Sequence, residues 1–172
     1  MFYDKEQDNL QELMRLTSKF WHREIPSVHF FLDALKGNFI TATNFIKLVF
    51  TVESFFGKNT SSDFMALSIS QILGKNIAEM KAIREKLIPS FRFRNEIVHG
   101  GKIHNITMES TFKWNKQNLN TSELFFYLKN VIIRLFYFYI NEELYLSKNN
   151  EQINHELIFK YFPNGIIKKK FR

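Results

Sequence analysis

The chain has 172 residues, a formal net charge of +7, 45% apolar residues and no cysteine. That length suits one domain with a real core. The lack of cysteine excludes a disulfide framework and a thiolate metal site, and agrees with a reducing, cytoplasmic setting. Twenty phenylalanines stand out; a compositional bias serving the core is the plainer reading over any special aromatic role.

The N-terminal run Met1-Phe-Tyr-Asp-Lys-Glu-Gln-Asp is acidic and polar, so no secretory signal is expected. Starting at Met1 favours a chain that stands alone. Leu10, Leu13, Met14, Thr17, Phe20 and Trp21 recur at helical spacing and predict a first helix. Pro26 ends it or starts the next, a short helix from Ser27 to Leu35 stopped by Gly37-Asn38. His22, Glu24, His29 and Asp33 match no metal-ligand spacing, so no metal or other cofactor is expected.

Phe45, Leu48, Val49, Val52, Phe55 and Phe56 form a clean apolar stripe closed by Gly57. Ser61-Ser62-Asp63 offers N-caps for the next helix. Its stripe is Met65, Ile69, Ile72 and Leu73, with Gly74 as a break or bend. Ile77, Met80, Ile83, Leu87 and Ile88 continue the pattern. Pro89 predicts a new start, because proline suits a first helical position and not an interior one. The following helix is therefore expected from about Pro89 to His99, stopped by Gly100-Gly101.

Residues 102–120 alternate weakly and are rich in Asn, Thr and Lys, which predicts a long loop with a possible small hairpin. Thr121-Ser122-Glu123 is expected to cap a very apolar helix reaching about Leu146. Leu124, Phe125, Leu128, Val131, Ile132, Leu135, Phe136, Phe138 and Tyr139 cover most of its circumference, so it should be buried in the core or against another subunit. It is short for a membrane span, and Lys129 and Arg134 would each cost roughly 2.5–3.5 kcal/mol there. A last helix is expected from Glu151 to Phe162, with His155-Glu156 solvated, followed by a basic tail. The fold class is all-α, a bundle of about five main helices with a long loop before the apolar helix.

The excess charge is local. Between Lys75 and Lys102 there are seven cations and three anions, and Lys168, Lys169, Lys170 and Arg172 form the tail. Such a distribution suits a polyanionic partner, and otherwise is ordinary solvated surface.

The densest chemistry lies in Phe91-Arg92-Phe93-Arg94-Asn95-Glu96-Ile97-Val98-His99-Gly100-Gly101. Arginine holds phosphate and histidine moves protons. On a helix, Arg92, Asn95 and His99 share a face, with Phe91, Phe93 and Ile97 serving the core. Arg94 lies on a flank about 140° around from His99, able to turn to the polar face, a neighbouring helix or another subunit.

Arg94-Asn95-Glu96-Ile97-Val98-His99 resembles the R-x4-6-H motif of HEPN domains in its common R-N-x-x-x-H form, and the surrounding residues are similar to the Apea-like branch. Glu53, within Phe50-Thr-Val-Glu-Ser-Phe-Phe56, resembles a glutamate found on an earlier helix in that branch. The resemblance spans roughly Phe39 to Glu143 and implies one HEPN-like helical domain over residues 1–172 that pairs as a homodimer with two motifs facing each other. It implies a metal-independent endoribonuclease, a toxin or antiphage-defence effector acting on RNA. His99 would be the general acid or base, Arg94 would hold the scissile phosphate, and Asn95 would orient the pair. Arg92, Lys102 and His104 are offered as RNA contacts, and Trp114 or Phe112 as faces for stacking bases. The same resemblance allows a non-catalytic adaptor that binds a regulatory protein such as an antitoxin. Two plainer roles stand beside these: Arg94 paired with an acid such as Glu53, and His99 as a cation ending a helix.

Overall fold

A computed structural model describes residues 26–36, 40–57, 60–99, 107, 110–115 and 117–141. The expected first helix, the helix from Glu151, the basic tail, Gly37-Asn38 and Gly100-Gly101 lie outside the described residues. The fold is an all-α bundle. Five helices occur among the described residues: α1 (Pro26–Leu35), α2 (Ala42–Ser54), α3 (Ser62–Leu73), α4 (Ile77–Val98) and α5 (Thr121–Asn141). A two-stranded hairpin, β1 (Thr111–Trp114) and β2 (Gln117–Asn120), precedes α5.

Local chemistry starts each helix where the chain supplies a cap. Pro26 occupies the first position of α1, where its missing N–H costs nothing. Thr41 Oγ1 accepts from the Asn44 N–H at the start of α2, and Ser61 Oγ accepts from the Phe64 N–H at the start of α3. At α4 the capping is reciprocal. Asn76 Oδ1 accepts from the Glu79 N–H at 2.9 Å, while Glu79 Oε2 accepts from the Lys75 N–H at 2.8 Å. Gly57 follows α2 with φ 79°, the left-handed region that glycine enters freely.

The core forms where the helical stripes meet. Phe45, Leu48, Val49 and Val52 of α2 face Ile83, Leu87, Phe91 and Phe93 of α4, with Leu128, Ile132 and Leu135 of α5 beside them, all buried. Phenylalanines knit the elements in edge-to-face and tilted pairs. Phe93 lies 4.9 Å from Phe45 and 4.9 Å from Phe112, and Phe136 lies 5.1 Å from Phe55 and 5.7 Å from Phe31. Asp33 of α1 bonds Lys47 of α2 at 3.0 Å and Lys36 at 2.6 Å. These two cations hold its carboxyl down at about 2.

Two expectations are corrected. Pro89 does not start a helix; it sits inside α4, which runs unbroken for 22 residues. The core stripe Ile83, Leu87, Phe91 crosses the proline, and its burial outweighs one lost backbone bond. The carbonyl that loses its donor belongs to exposed Glu85, within reach of solvent. Second, α5 is capped from one residue earlier than expected. Asn120 Oδ1 accepts from the Ser122 N–H at 2.8 Å, while Thr121 is buried and its own N–H donates to Ser110 O at 2.9 Å. The apolar residues of α5 divide, with Leu124, Leu128, Ile132 and Leu135 in the core and Phe126 facing out from it. Phe126 is 45% exposed, with the Lys129 ammonium 5.5 Å from its ring. No helix among the described residues is long and apolar enough to cross a membrane.

The hairpin pairs Phe112 with Leu119 and Trp114 with Gln117, so a two-residue turn joins the strands. Asn115 opens that turn at φ 44°, a conformation asparagine tolerates and branched residues do not. Gly74 closes α3 in a tight joint. A β-carbon there would lie 2.6 Å from Ser70 O and 2.8 Å from Met80 Cγ.

Gly74→Ala should therefore destabilise the fold by about 1–3 kcal/mol, measured as a lower urea midpoint. Asn115→Val should cost about 1–2 kcal/mol in the same assay, with Asn115→Gly tolerated.

Candidate active site

Helix α4 carries the motif on its last two turns, and its phase decides where each side chain goes. Ile83, Leu87 and Ser90 are buried at i, i+4 and i+7. Arg94 follows at i+11 on the same line, so its side chain enters the interface between α4 and α2. It does not turn to the polar face. Arg94 Nη2 donates to Glu53 Oε2 at 2.9 Å, and Arg94 Nη1 donates to Asn95 Oδ1 at 2.8 Å. The guanidinium carbon lies 5.0 Å from the Phe50 ring centre, a cation–π contact from the same helix as Glu53. The Arg94 and Glu53 side chains are 20% and 27% exposed.

Burial pushes the Glu53 carboxyl above its ordinary 4.5, although the charge and hydrogen bond of Arg94 pull the other way. Desolvation wins because the pair sits between two packed helices. Arg94 has five N–H donors. Two are engaged by Asn95 and Glu53, and Nε is buried with no partner among the described residues. One further hydrogen on each terminal nitrogen remains for a ligand at the exposed edge.

His99 is the C-cap of α4; its backbone N–H donates to Asn95 O at 2.9 Å, and the residue is exposed. Along the axis it lies about 7.5 Å beyond Arg94, and about 140° around from it. The structure thus brings together Arg94, Asn95 and Glu53 and leaves His99 on another side of the helix. Asn95 turns its amide oxygen to Arg94. Arg92 is exposed on the His99 side, its guanidinium 5.8 Å from the Trp114 ring centre.

Lys102 and His104 lie outside the described residues, as do His22, Glu24 and His155-Glu156. Phe112 is corrected as a stacking face. It is 4% exposed and packed on Phe93, so no base can reach it. Trp114 is half-buried and borders a cavity. Among the described residues no three His, Asp or Glu side chains gather as metal ligands do. Reading the motif alone passes over Gln71 and Arg84, which line that cavity on α3 and α4. Arg84 sits within the cation-rich segment, which is the signal that points to it; Gln71 carries none.

Removing Arg94 strands a desolvated carboxylate. Arg94→Ala should cost about 2 kcal/mol, below the ~3–5 kcal/mol of a fully buried pair, and should push the Glu53 carboxyl further up. The sign of the pH dependence follows. Glu53 binds its proton more tightly folded than unfolded, so its contribution is fully present below 4.5 and lost as pH rises through the folded value. Urea titrations of wild type and Glu53→Gln should show any wild-type advantage shrinking as pH rises above 4.5.

No protein-family model, curated protein or solved structure matches this chain, so the functional reading rests on the chemistry of α2 and α4.

Proposed function

We propose that the chain is a metal-independent endoribonuclease of the HEPN type, acting as a toxin or defence effector in the cytoplasm. The observation that carries the reading is the end of α4. A guanidinium braced by Glu53 and Asn95 and an exposed histidine occupy the positions of the R-N-x-x-x-H pattern on one helix.

The chemistry follows from these groups. His99 takes the proton of a ribose 2′-OH as the oxygen attacks the adjacent phosphorus, or protonates the departing 5′ oxygen. Arg94 binds the phosphate through its remaining N–H donors and stabilises the charge that grows in the transition state. Asn95 and Glu53 hold the guanidinium in place and do not touch the substrate. The products are a 2′,3′-cyclic phosphate and a 5′-OH. Because Arg94 and His99 lie on different sides of α4, a homodimer that sets Arg94 of one protomer against His99 of the other meets the geometry best. The second histidine then supplies the complementary proton transfer.

The Arg94–Glu53 bond favours a second reading, a non-catalytic adaptor in which the arginine only joins α2 to α4 and the bundle binds a regulatory protein such as an antitoxin.

Cleavage of total RNA and tRNA by purified protein in EDTA separates the two. The ribonuclease should cut in EDTA and leave cyclic-phosphate ends, and His99→Ala should slow it by about 10²–10⁴-fold. Cleavage that EDTA abolishes refutes the metal-free mechanism. Equal cleavage by wild type and His99→Ala refutes the role of His99, and absent cleavage in both favours the adaptor.

A further inference from the structure

A cavity of about 620 Å³ lies between α3, the first three turns of α4 and the hairpin turn. That volume is in the range of small-molecule sites. Leu67, Ile77, Met80 and Ile88 supply apolar walls, and Trp114 forms the hairpin side. Two polar atoms at its lining residues are unsatisfied. Gln71 is 4% exposed and its Oε1 has no partner among the described residues; Arg84 Nε is buried in the same condition. A buried amide left unpaired is costly, and a bound group that satisfies it recovers that cost.

The cavity also has a direction. Its α4 residues Ile77, Lys81, Arg84 and Ile88 fall on a line that continues through Arg92 and Asn95 to His99, all within an arc of about 80°. Lys81 pairs with Glu85 at 3.8 Å, and Arg84 leaves the lining one net positive charge. Arg92 bridges cavity and motif by lying over Trp114. A flat wall, a side-chain amide seeking a donor and a row of cations leading to the motif are the requirements for holding one unstacked nucleotide.

We propose that this cavity is a base-binding subsite for an unpaired nucleotide whose base carries an exocyclic amino group, adenine fitting best. A glutamine amide matches the adjacent donor and acceptor of adenine. The base lies against Trp114, the buried Gln71 amide rotates toward the cavity so that its Oε1 accepts from the amino group, and Arg84 holds the phosphate, with Lys81 able to leave its exposed pair with Glu85 to assist. The assignment of the nucleotide to an RNA strand rests on the ribonuclease reading.

The test uses the full chain carrying His99→Ala, so that RNA stays intact, and follows indole fluorescence with and without Trp114→Phe to isolate Trp114 from Trp21. The probes are a hexamer of adenosine, the same hexamer with purine riboside lacking the amino group, and AMP. The adenosine hexamer should quench Trp114 and bind about fivefold to tenfold more tightly than the amino-free hexamer, and Gln71→Met should erase that gap. Ile77→Phe keeps the test open should Gln71→Met fail to fold. Ile77 is 71% exposed at the cavity edge, so the larger side chain blocks entry without disturbing the core, and quenching should vanish. Equal affinity for both hexamers, or quenching that persists in Trp114→Phe, overturns the proposal. AMP binding as tightly as the hexamer supports the subsite with a free nucleotide as its source; tighter hexamer binding supports RNA. Wild-type cleavage read in parallel keeps the two readings apart. Cutting without base preference overturns the subsite and leaves the nuclease, whereas selective binding without cutting does the reverse.

Discussion

A guanidinium on the core-facing line of a helix is the constraint around which this bundle is arranged. Ile83, Leu87 and Ser90 bring that line to Arg94, and the next position inward belongs to α2. Glu53 must then be where it is, because an unpaired cation between two packed helices is among the costliest errors a fold can make. The bond at 2.9 Å and the Phe50 contact fix the rotation of α4 against α2. With that rotation set, every other residue of α4 has its direction. Phe91 and Phe93 go to the core, and Arg92 and His99 go outward. Stability alone does not require the pair. Leucine or methionine at both positions would avoid two desolvation penalties and is often as stable or more so. An arrangement that keeps Glu53 in an environment hostile to its charge fits the phosphate-holding role proposed for Arg94.

Pro89 shows how packing overrules a local rule. A proline inside a helix costs about 3 kcal/mol through the lost bond and the clash with the preceding turn. Leu87, Pro89, Ser90 and Phe91 are all buried, and Ser90 Oγ donates to Lys86 O at 2.8 Å, so the segment is anchored on both sides of the ring. The consequence is one rod. Its first turns border the cavity and its last turn carries His99, so a strand laid along one face meets both.

Much of the bundle was legible from spacing. The stripes beginning at Phe45 and Met65, the cap Ser61 and the break at Gly74 all follow from helical period and cap chemistry, which act over a few residues. The site was legible in part. Arg92, Asn95 and His99 share a face as their spacing requires, and Glu53 was within view as a partner for Arg94. What was lost was phase. Ending a helix at Pro89 cut the line through Ile83 and Leu87, and without it Arg94 looked like a flank residue when it continues the core stripe. Phe112 and Trp114 share one face of a strand and look equivalent in sequence; only the arrival of Phe93 from α4 makes one of them core. The cavity was illegible for the same reason, since Gln71, Arg84 and Trp114 meet only after three elements pack.

The raised proton affinity of Glu53 bears on how Arg94 could serve both packing and a phosphate. An anion arriving at the exposed edge of the guanidinium competes with Glu53 for the same charge and repels its carboxylate. For an ordinary surface glutamate that repulsion would work against binding. Here burial has already moved Glu53 toward its neutral form. Taking up a proton as the phosphate approaches costs it correspondingly less, and the hydrogen bond to Arg94 need not break, since a protonated carboxyl keeps an acceptor oxygen. In the proposed reaction the guanidinium would then stay braced by Asn95 and a protonated Glu53 while its positive charge is directed to the phosphate. A salt bridge set in a solvated surface could not shift in this way; one set on the core line of α4 can.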